Sequence, residues 1–371
     1  MLIGVPREIK NNEFRVGLTP AGVRELAANG HSVLVQQGAG EAIGLDDARY
    51  QAAGAQIVAE AAEVFARAQL LVKVKEPQPA ECAMLRPDQV LFAYLHLAPD
   101  LPQTRALLAS GCTAIAYETV TDGRGGLPLL APMSEVAGRM AIQAGAHALE
   151  SAQGGPGLLL GGVPGVRPGR VLILGGGVVG INAARLAMGI GAQVTVMDRS
   201  LERLKYLDEL YGPQLTTVYA TRDAIDEHLP HVDLVIGAVL VPGAPAPKLI
   251  CRAQLGLMRP GTVLVDVAID QGGCFETSHP TSHQAPTYEV DGIIHYCVAN
   301  MPGGVARTST FALTHATLPF VVALADKGAP QALRDDAGLR NGLNIHAGKV
   351  TCHAVARALG LDYMPALAAL G

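Results

Sequence analysis

The chain has 371 residues, 49% of them hydrophobic and 16% charged, with a net charge of -5 and a pI near 6.1. That length predicts about two domains with ample core and excludes a largely disordered chain. The mild acidity argues against nucleic acid or an anionic lipid surface as a main partner.

From the N-terminus, residues 1–128 alternate strand and helix signals. A short strand at 2–5 leads into the loop REIKNNEFRVGLTP. Thr19 then reads as an N-cap with Pro20 at N1, the apolar stripe Val23, Leu26, Ala27 follows, and Gly30 closes the helix. Further strands are expected at 32–36, 70–74, 90–95 and 113–117, separated by helical stretches such as 101–109. Alternation of this kind implies a parallel sheet with helices on both faces. Residues 131–152 read as one long helix, opened by Pro132 and capped by Ser134 or its neighbours. A Gly- and Pro-rich stretch, GGPGLLLGGVPGVRPG, leads on to the most informative part of the chain.

That part is RVLILGGGVVGINAARLAMGIGAQVTVMD, residues 170–198. An apolar strand breaks into glycines, resumes as a helix, and is followed by a second strand ending in Asp198. Gly175, Gly177 and Gly180 have the G-x-G-x-x-G spacing. The first permits the tight turn, the second lets backbone approach a pyrophosphate, and the third lets helix pack against strand. Phosphates then sit at the helix N-terminus, where free N–H groups and the dipole favour anions. Strand, glycines, helix, strand and acid in this order are the context a dinucleotide site requires. Asp198 favours NAD, since a carboxylate repels a 2′-phosphate, whereas Arg199 beside it would receive one.

The unit continues with a helix at 201–210, a strand at 216–219, a helix at 224–229 and strands at 232–236 and 262–267. A helix at 309–325 leaves it, and an Ala-rich helix at 350–359 ends the chain. The expected architecture is α/β: two doubly wound domains with parallel sheets, the second a Rossmann fold, joined by long helices. The first domain is 1–128 plus 307–371, the second 129–306, and a substrate cleft is expected between them. The six cysteines, Cys82, Cys112, Cys251, Cys274, Cys297 and Cys352, lack C-x-x-C spacing, which is the usage of a reduced compartment without a disulfide frame or zinc site. MLIGVPREIK is not a signal peptide. No uninterrupted apolar run approaches the roughly twenty residues of a membrane helix. A soluble, cytoplasmic protein without a membrane partner is expected.

The first domain supplies the residues for chemistry. His96 in LFAYLHLAPD falls at the carboxyl end of a strand; it is either a core histidine bonded to backbone or a proton exchanger near neutral pH. LLVKVKEP puts Lys73 and Lys75 on one strand face, with Lys75 last, solvated, paired with an acid, or functional. Arg15 lies in the loop after the first strand, at the same sheet edge. A guanidinium binds a carboxylate in bidentate fashion, with a nearby lysine as a point charge. In the second domain GTVLVDVAIDQGG carries Asp266 inside a strand and Asp270 at its end, the latter a turn cap or a catalytic acid. Glu118 reads as a simple cap or as an acid supporting the site. His279 and His283 read as surface residues, and no metal site is assigned.

At these residues the sequence resembles the alanine dehydrogenase family, nearly end to end. The segments GVPREIK, E-x-RV-x-LTP, VKVKEP, YLHLA, PMSEVAGRM, GGVPGV, GGGVVG, LVIGAVLVPG-x-x-APKL, VDVAIDQGGC-x-E and CVANMPG all carry the likeness. The resemblance implies reversible, NAD-dependent deamination of L-alanine to pyruvate and ammonia, in a homohexamer. It implies that Arg15 and Lys75 hold the carboxylate and carbonyl groups of pyruvate, and that His96 and Asp270 serve the proton steps. It implies NAD contacts at Ser134, Val178, Asp198, Arg203, Val239, Leu240, Val267, Ile269, Asp270, Val298, Asn300 and Met301, besides Gly175, Gly177 and Gly180. Arg203 stands where relatives often have lysine, and Ala220 and His279 replace a serine and an arginine. Two other readings stay open. One is another enzyme on this scaffold, such as the NAD-binding component of a transhydrogenase or a saccharopine-type dehydrogenase. The other is an NAD sensor, which would need only the nucleotide site.

Overall fold

In the computed structural model, which describes residues 1–239 and 246–371, the chain divides into two compact units. Unit 1 comprises Met1–Met133 with Val305–Gly371, and unit 2 is Ser134–Gly304. The sequence reading put the joints at 128/129 and 306/307.

Unit 1 opens with β1 (Leu2–Val5), β2 (Ser32–Gln36), β3 (Gln56–Val58), β4 (Leu70–Val72), β5 (Val90–Ala93) and β6 (Thr113–Ala116). These six pair in parallel in the order β3-β2-β1-β4-β5-β6. Every residue of β4, β5 and β6 is buried, which is why they read as unbroken apolar runs. Leu71, Leu91 and Ala114 belong to one core cluster with Phe65 and Leu107. Burying a leucine of this kind contributes roughly 1.5–3 kcal/mol. Two strands end earlier than expected, β4 at Val72 and β5 at Ala93, so Lys75 and His96 lie in the loops beyond.

Unit 2 contains β7 (Arg170–Leu174), β8 (Gln193–Asp198), β9 (Leu215–Tyr219), β10 (Leu234–Gly237), β11 (Val263–Asp266), β12 (Thr287–Val290) and β13 (Ile293–Tyr296). Its order is β12-β13-β11-β10-β7-β8-β9. Unit 1 then closes with β14 (Leu343–His346) and β15 (Lys349–Val350). The sheets are parallel in their centres but not throughout. β12 pairs antiparallel with β13, and β14 antiparallel with both β6 and β15. For β12–β13 and β14–β15 the reason is local: Asp291 and Gly292, and likewise Ala347 and Gly348, adopt positive φ in two-residue turns. Such turns join only antiparallel neighbours.

Leaving those edges aside, both units have the same succession, with the chain reversing direction of winding between β1 and β4 and between β7 and β10. Ligands of doubly wound sheets bind outside the strand carboxyl ends at such switch points.

Helices mostly follow their signals. Thr19 Oγ1 accepts from Gly22 N at 3.4 Å and caps Pro20–Ala28 as expected. The long helix runs Ala131–Ala148, so Ser134 lies inside it and is not its cap. At the C-terminus Val350 pairs in β15, and the helix is His353–Leu359, shorter than 350–359. One helix, within Met301–Lys327, is long and apolar enough to cross a membrane by length and composition alone, with mean hydropathy 1.3. Its Ala306–Lys327 part buries Ser309, Thr310, Thr314 and Thr317 alongside Leu313, Val321 and Leu324, as a core helix does.

Candidate active site

The glycine turn of unit 2 behaves as its spacing requires. Gly175 has φ +105°, and a Cβ there would lie 2.7 Å from Ala238 O. A Cβ on Gly180 would lie 1.8 Å from Gly175 O, so helix Val178–Gly189 can pack on β7 only with glycine at that position. Among the described residues a Cβ on Gly177 would meet no atom within 4 Å. Its smallness therefore serves nothing inside the protein and leaves room for a ligand backed by the first N–H groups of the helix. Val178, first in that helix, is 43% exposed.

Asp198 ends β8 and is locked by main chain. Its Oδ2 accepts from Gly176 N at 2.7 Å and its Oδ1 from Ser200 N at 2.8 Å. Arg203 Nε donates to Gly176 O, and its guanidinium lies 4.9 Å from the Tyr206 ring centre. Arg199 is exposed. A turn held open at Gly177 and an oriented carboxylate one strand away fit the pyrophosphate and ribose of NAD. Helix Ala131–Ala148, which carries Ser134 in its first turns, comes close to this turn: a Cβ on Gly138 would lie 2.2 Å from Val179 O.

The remaining cofactor candidates follow strands near the switch point. Val239 follows β10 and is half-buried; Leu240 lies outside the described residues. Val267 follows β11, and Ile269 and Asp270 form the single turn Ile269–Gln271, with Ile269 buried and Asp270 exposed. Val298, Asn300 and Met301 follow β13. Val298 and Met301 are buried in the core, while Asn300 has φ +57° and its carbonyl meets His283 Nε2 at 3.3 Å. His279 stacks on Tyr288, ring centres 3.7 Å apart. Ala220 N donates to Asp198 O at 3.0 Å.

Asp266 is wholly buried at the end of β11. It accepts from Ala268 N at 3.1 Å, Cys274 N at 2.7 Å, Phe275 N at 3.3 Å and Ser278 Oγ at 2.5 Å. Burial pushes its carboxyl above the usual range against those bonds. Its carboxylate is thus spent on donors of its own loop, Ala268 to Ser278.

In unit 1, Arg15, Lys75 and His96 follow β1, β4 and β5, at one sheet edge. Arg15 is 2% exposed; its Nε and Nη2 donate to Glu13 Oε1 and Oε2 at 2.7 and 2.5 Å, and Nη1 reaches Met133 Sδ at 3.1 Å. Burial opposes the charge on both partners, yet the pair holds Glu13 below its ordinary value and Arg15 above. The loop arginine is thus an oriented, buried fork. Lys75 is half-buried, and its charge adds to the lowering of Glu13 and Glu76, so it shares Arg15's surroundings.

Lys73, expected on one face with Lys75, does something else. It is fully buried, its Nζ 3.0 Å from Glu8 Oε2 and 2.8 Å from Glu81 Oε1. Burial pulls the ammonium down and the two carboxylates outweigh it. Glu8 Oε1 also accepts from Val74 N at 2.7 Å and Lys75 N at 3.4 Å, which fixes the segment bearing Lys75.

His96 has φ +48° and its side chain is 47% exposed. Glu118 supports it: the carboxylate accepts from His96 N at 2.6 Å and from Leu95 N at 3.2 Å, and stands 3.9 Å from Nδ1. The imidazole stacks parallel to Tyr94, centres 5.8 Å apart, and Tyr94 OH donates to Leu129 O at 2.5 Å. Of these supports the sequence flagged Glu118; Glu8 and Glu13 went unread. Their only signal was two acids in the same basic loop, REIKNNEFR, and spacing does not say which cation each would meet.

Among the described residues no three His, Cys, Asp or Glu side chains gather as a metal site would need.

Comparison with known proteins accounts for nearly the whole chain. The family model for the alanine dehydrogenase/PNT N-terminal domain matches residues 4–137, and that for the C-terminal domain matches 141–353. Alanine dehydrogenase of Halomonas elongata is 62% identical over 371 residues, all of both chains. That of Bacillus subtilis is 54% identical over 371 residues, covering all of this chain and 98% of its own. A solved L-alanine dehydrogenase superposes with a TM-score of 0.94 at 52% identity, over 97% of this chain and 99% of its own.

Proposed function

The chain belongs to the alanine dehydrogenase/PNT family, and from that premise we propose its reaction: the reversible, NAD-dependent oxidative deamination of L-alanine to pyruvate and ammonia. It is an oxidoreductase and its cofactor is NAD. The observation that carries the substrate reading is the placing of Arg15, Lys75 and His96 after β1, β4 and β5, on both sides of the switch point of unit 1. A nucleotide-binding module alone has no use for two cations and an imidazole there.

When bound, NAD supplies the acceptor for the hydride of the alanine Cα. The protein's share is binding and proton transfer. Arg15, oriented by Glu13, holds the substrate carboxylate, and Lys75 polarises the carbonyl oxygen of pyruvate. His96, half-exposed beside Glu118, takes a proton from the alanine ammonium so that the amine lone pair assists loss of hydride and leaves an iminium. Asp270 then orients water for attack on the iminium carbon and balances the cationic charge, and His96 exchanges the remaining protons as ammonia departs. General acid–base help of this kind is typically worth ~10²–10⁴ in rate.

In unit 2, Gly177 and Val178 take the pyrophosphate on the turn that Gly175 and Gly180 shape, and Asp198 with Arg203 takes the adenosine ribose. Ser134, Val239, Leu240, Val267, Ile269, Asp270, Val298, Asn300 and Met301 contact the rest of the cofactor, Val298 and Met301 from their main chain since their side chains are buried. The working form is a cytoplasmic homohexamer.

NADH absorbance followed with pyruvate, ammonium, both and neither tests the reaction. Oxidation is expected only with both, and weakly or not at all with NADPH or with 2-oxoglutarate. Oxidation with pyruvate alone would mark a hydroxy-acid dehydrogenase and sink the proposal.

A further inference from the structure

Asp270 sits on an exposed single turn, Ile269–Gln271, with no regular element to hold it. The segment around it is nevertheless gripped from two sides. From one side Asp266 takes the N–H groups of Ala268, Cys274 and Phe275, bracketing the turn, and the hydroxyl of Ser278. From the other, Lys248 Nζ donates to the carbonyls of Gly272 at 2.5 Å, Gly273 at 2.9 Å and Phe275 at 3.0 Å. An anion collects the donors of the loop and a cation collects its acceptors. There is little slack: a Cβ on Gly273, whose φ is +78°, would lie 2.6 Å from Asp266 Oδ2, and one on Gly237 would lie 3.4 Å from Oδ1.

We propose that Asp266 is a positioning residue for the reaction, acting through Asp270 by fixing the loop that presents it. This rests on the reading of Asp270 given above. A carboxylate has about four acceptor sites. Three donors converge on Oδ2 of Asp266 and one on Oδ1, and the side chain is wholly buried, which keeps it from substrate and assigns the chemistry to its exposed neighbour on the turn. The grip is charge-assisted and buried, so it is stronger than the bonds of an ordinary loop. A displacement of about 1 Å in a reacting group can cost ~10²-fold in rate.

A double-mutant cycle separates this from a general contribution to folding. Asp266→Asn puts an amide N–H against main-chain N–H groups and loosens the loop; Ser278→Ala removes one donor and is the milder change. Each is made in the natural chain and in Asp270→Asn, and kcat is measured at saturating NAD and alanine, so that weakened cofactor binding does not enter. In the natural background Asp266→Asn is expected to lower kcat by roughly 10- to 100-fold and Ser278→Ala by a few-fold. In the Asp270→Asn background each should change kcat by less than about 2-fold, because the residue through which it acts is already disabled. Equal factors in both backgrounds, or unchanged kcat in the first, overturn the inference. If Asp266→Asn does not fold, the Ser278→Ala cycle decides alone. Full activity in Asp270→Asn by itself would instead overturn the reading of Asp270, a different and separately visible failure.

Discussion

Each candidate residue of unit 1 is preceded, faced or followed by an acid that takes its main-chain N–H. Glu13 accepts from Arg15 N at 3.1 Å, Glu8 from Lys75 N, and Glu118 from His96 N. Asp198 does the same for Gly176 in unit 2. These are loops, and a loop positions a side chain only as well as its backbone is held. The acids hold it, and they also supply negative charge where cations crowd. The Arg15–Glu13 pair is the most buried example and has a consequence for stability. Arg15→Ala takes the paired guanidinium away from a buried carboxylate, which costs about 3–5 kcal/mol in comparable cases. In the natural protein Glu13 is held below its ordinary 4.5, so the pair's contribution is present above that pH and is lost as pH falls through the lowered folded value. In the variant the penalty disappears as Glu13 takes up a proton. The difference in Tm between the two proteins is therefore expected to be widest near pH 7 and to narrow as the pH falls towards 4.5 and then below it. Melting curves across that range check it; a gap of constant width would show that Glu13 is not charged against Arg15.

At the scale of elements, the two critical glycines of the turn make opposite predictions. Gly180→Ala sets a Cβ against Gly175 O, so helix Val178–Gly189 must move off β7; both Tm and NADH affinity should fall. Gly177→Ala meets nothing among the described residues and has an ordinary φ of -69°, so Tm should hold while NADH affinity drops by about tenfold or more. Calorimetry and NADH fluorescence titration on both variants check the contrast, and a Gly177→Ala protein that binds NADH normally would exclude the phosphates from that position. This unit was legible because strand, turn and helix are each signalled locally. The buried parallel strands were legible too, as apolar runs, but their ends were read two residues long at both β4 and β5. Periodicity does not register where hydrogen bonding stops, and Lys73, read as sharing a strand face with Lys75, is buried in ion pairs with Glu8 and Glu81. β3, three residues long, is too short to show a period. The antiparallel edges were missed despite a usable signal: EVDGII is an Asp-Gly turn between apolar residues, a hairpin pattern that the search for α/β alternation passed over.

At the scale of the whole molecule, the chain leaves unit 1 at Met133, builds unit 2 without interruption from Ser134 to Gly304, and returns at Val305. Unit 1 is therefore made of two pieces, and its β14 must find β6 across more than two hundred intervening residues. Unit 2 has no such debt to distant sequence. Its core clusters, one on each side of its sheet residues, draw only on residues between Ala137 and Met301. It also holds every cofactor candidate from Ser134 to Met301, and none of Arg15, Lys75 or His96. A fragment spanning 129–306, which keeps helix Ala131–Ala148 whole, has the size and the private core of an independent domain. It is expected to melt cooperatively and to bind NADH within about tenfold of the full chain, yet to show no oxidation of NADH with pyruvate and ammonium. Circular dichroism, fluorescence titration and the absorbance assay read the three properties. A fragment that folds but fails to bind NADH would mean that residues of unit 1 belong to the nucleotide site; one that turns over substrate would remove Arg15, Lys75 and His96 from the mechanism altogether.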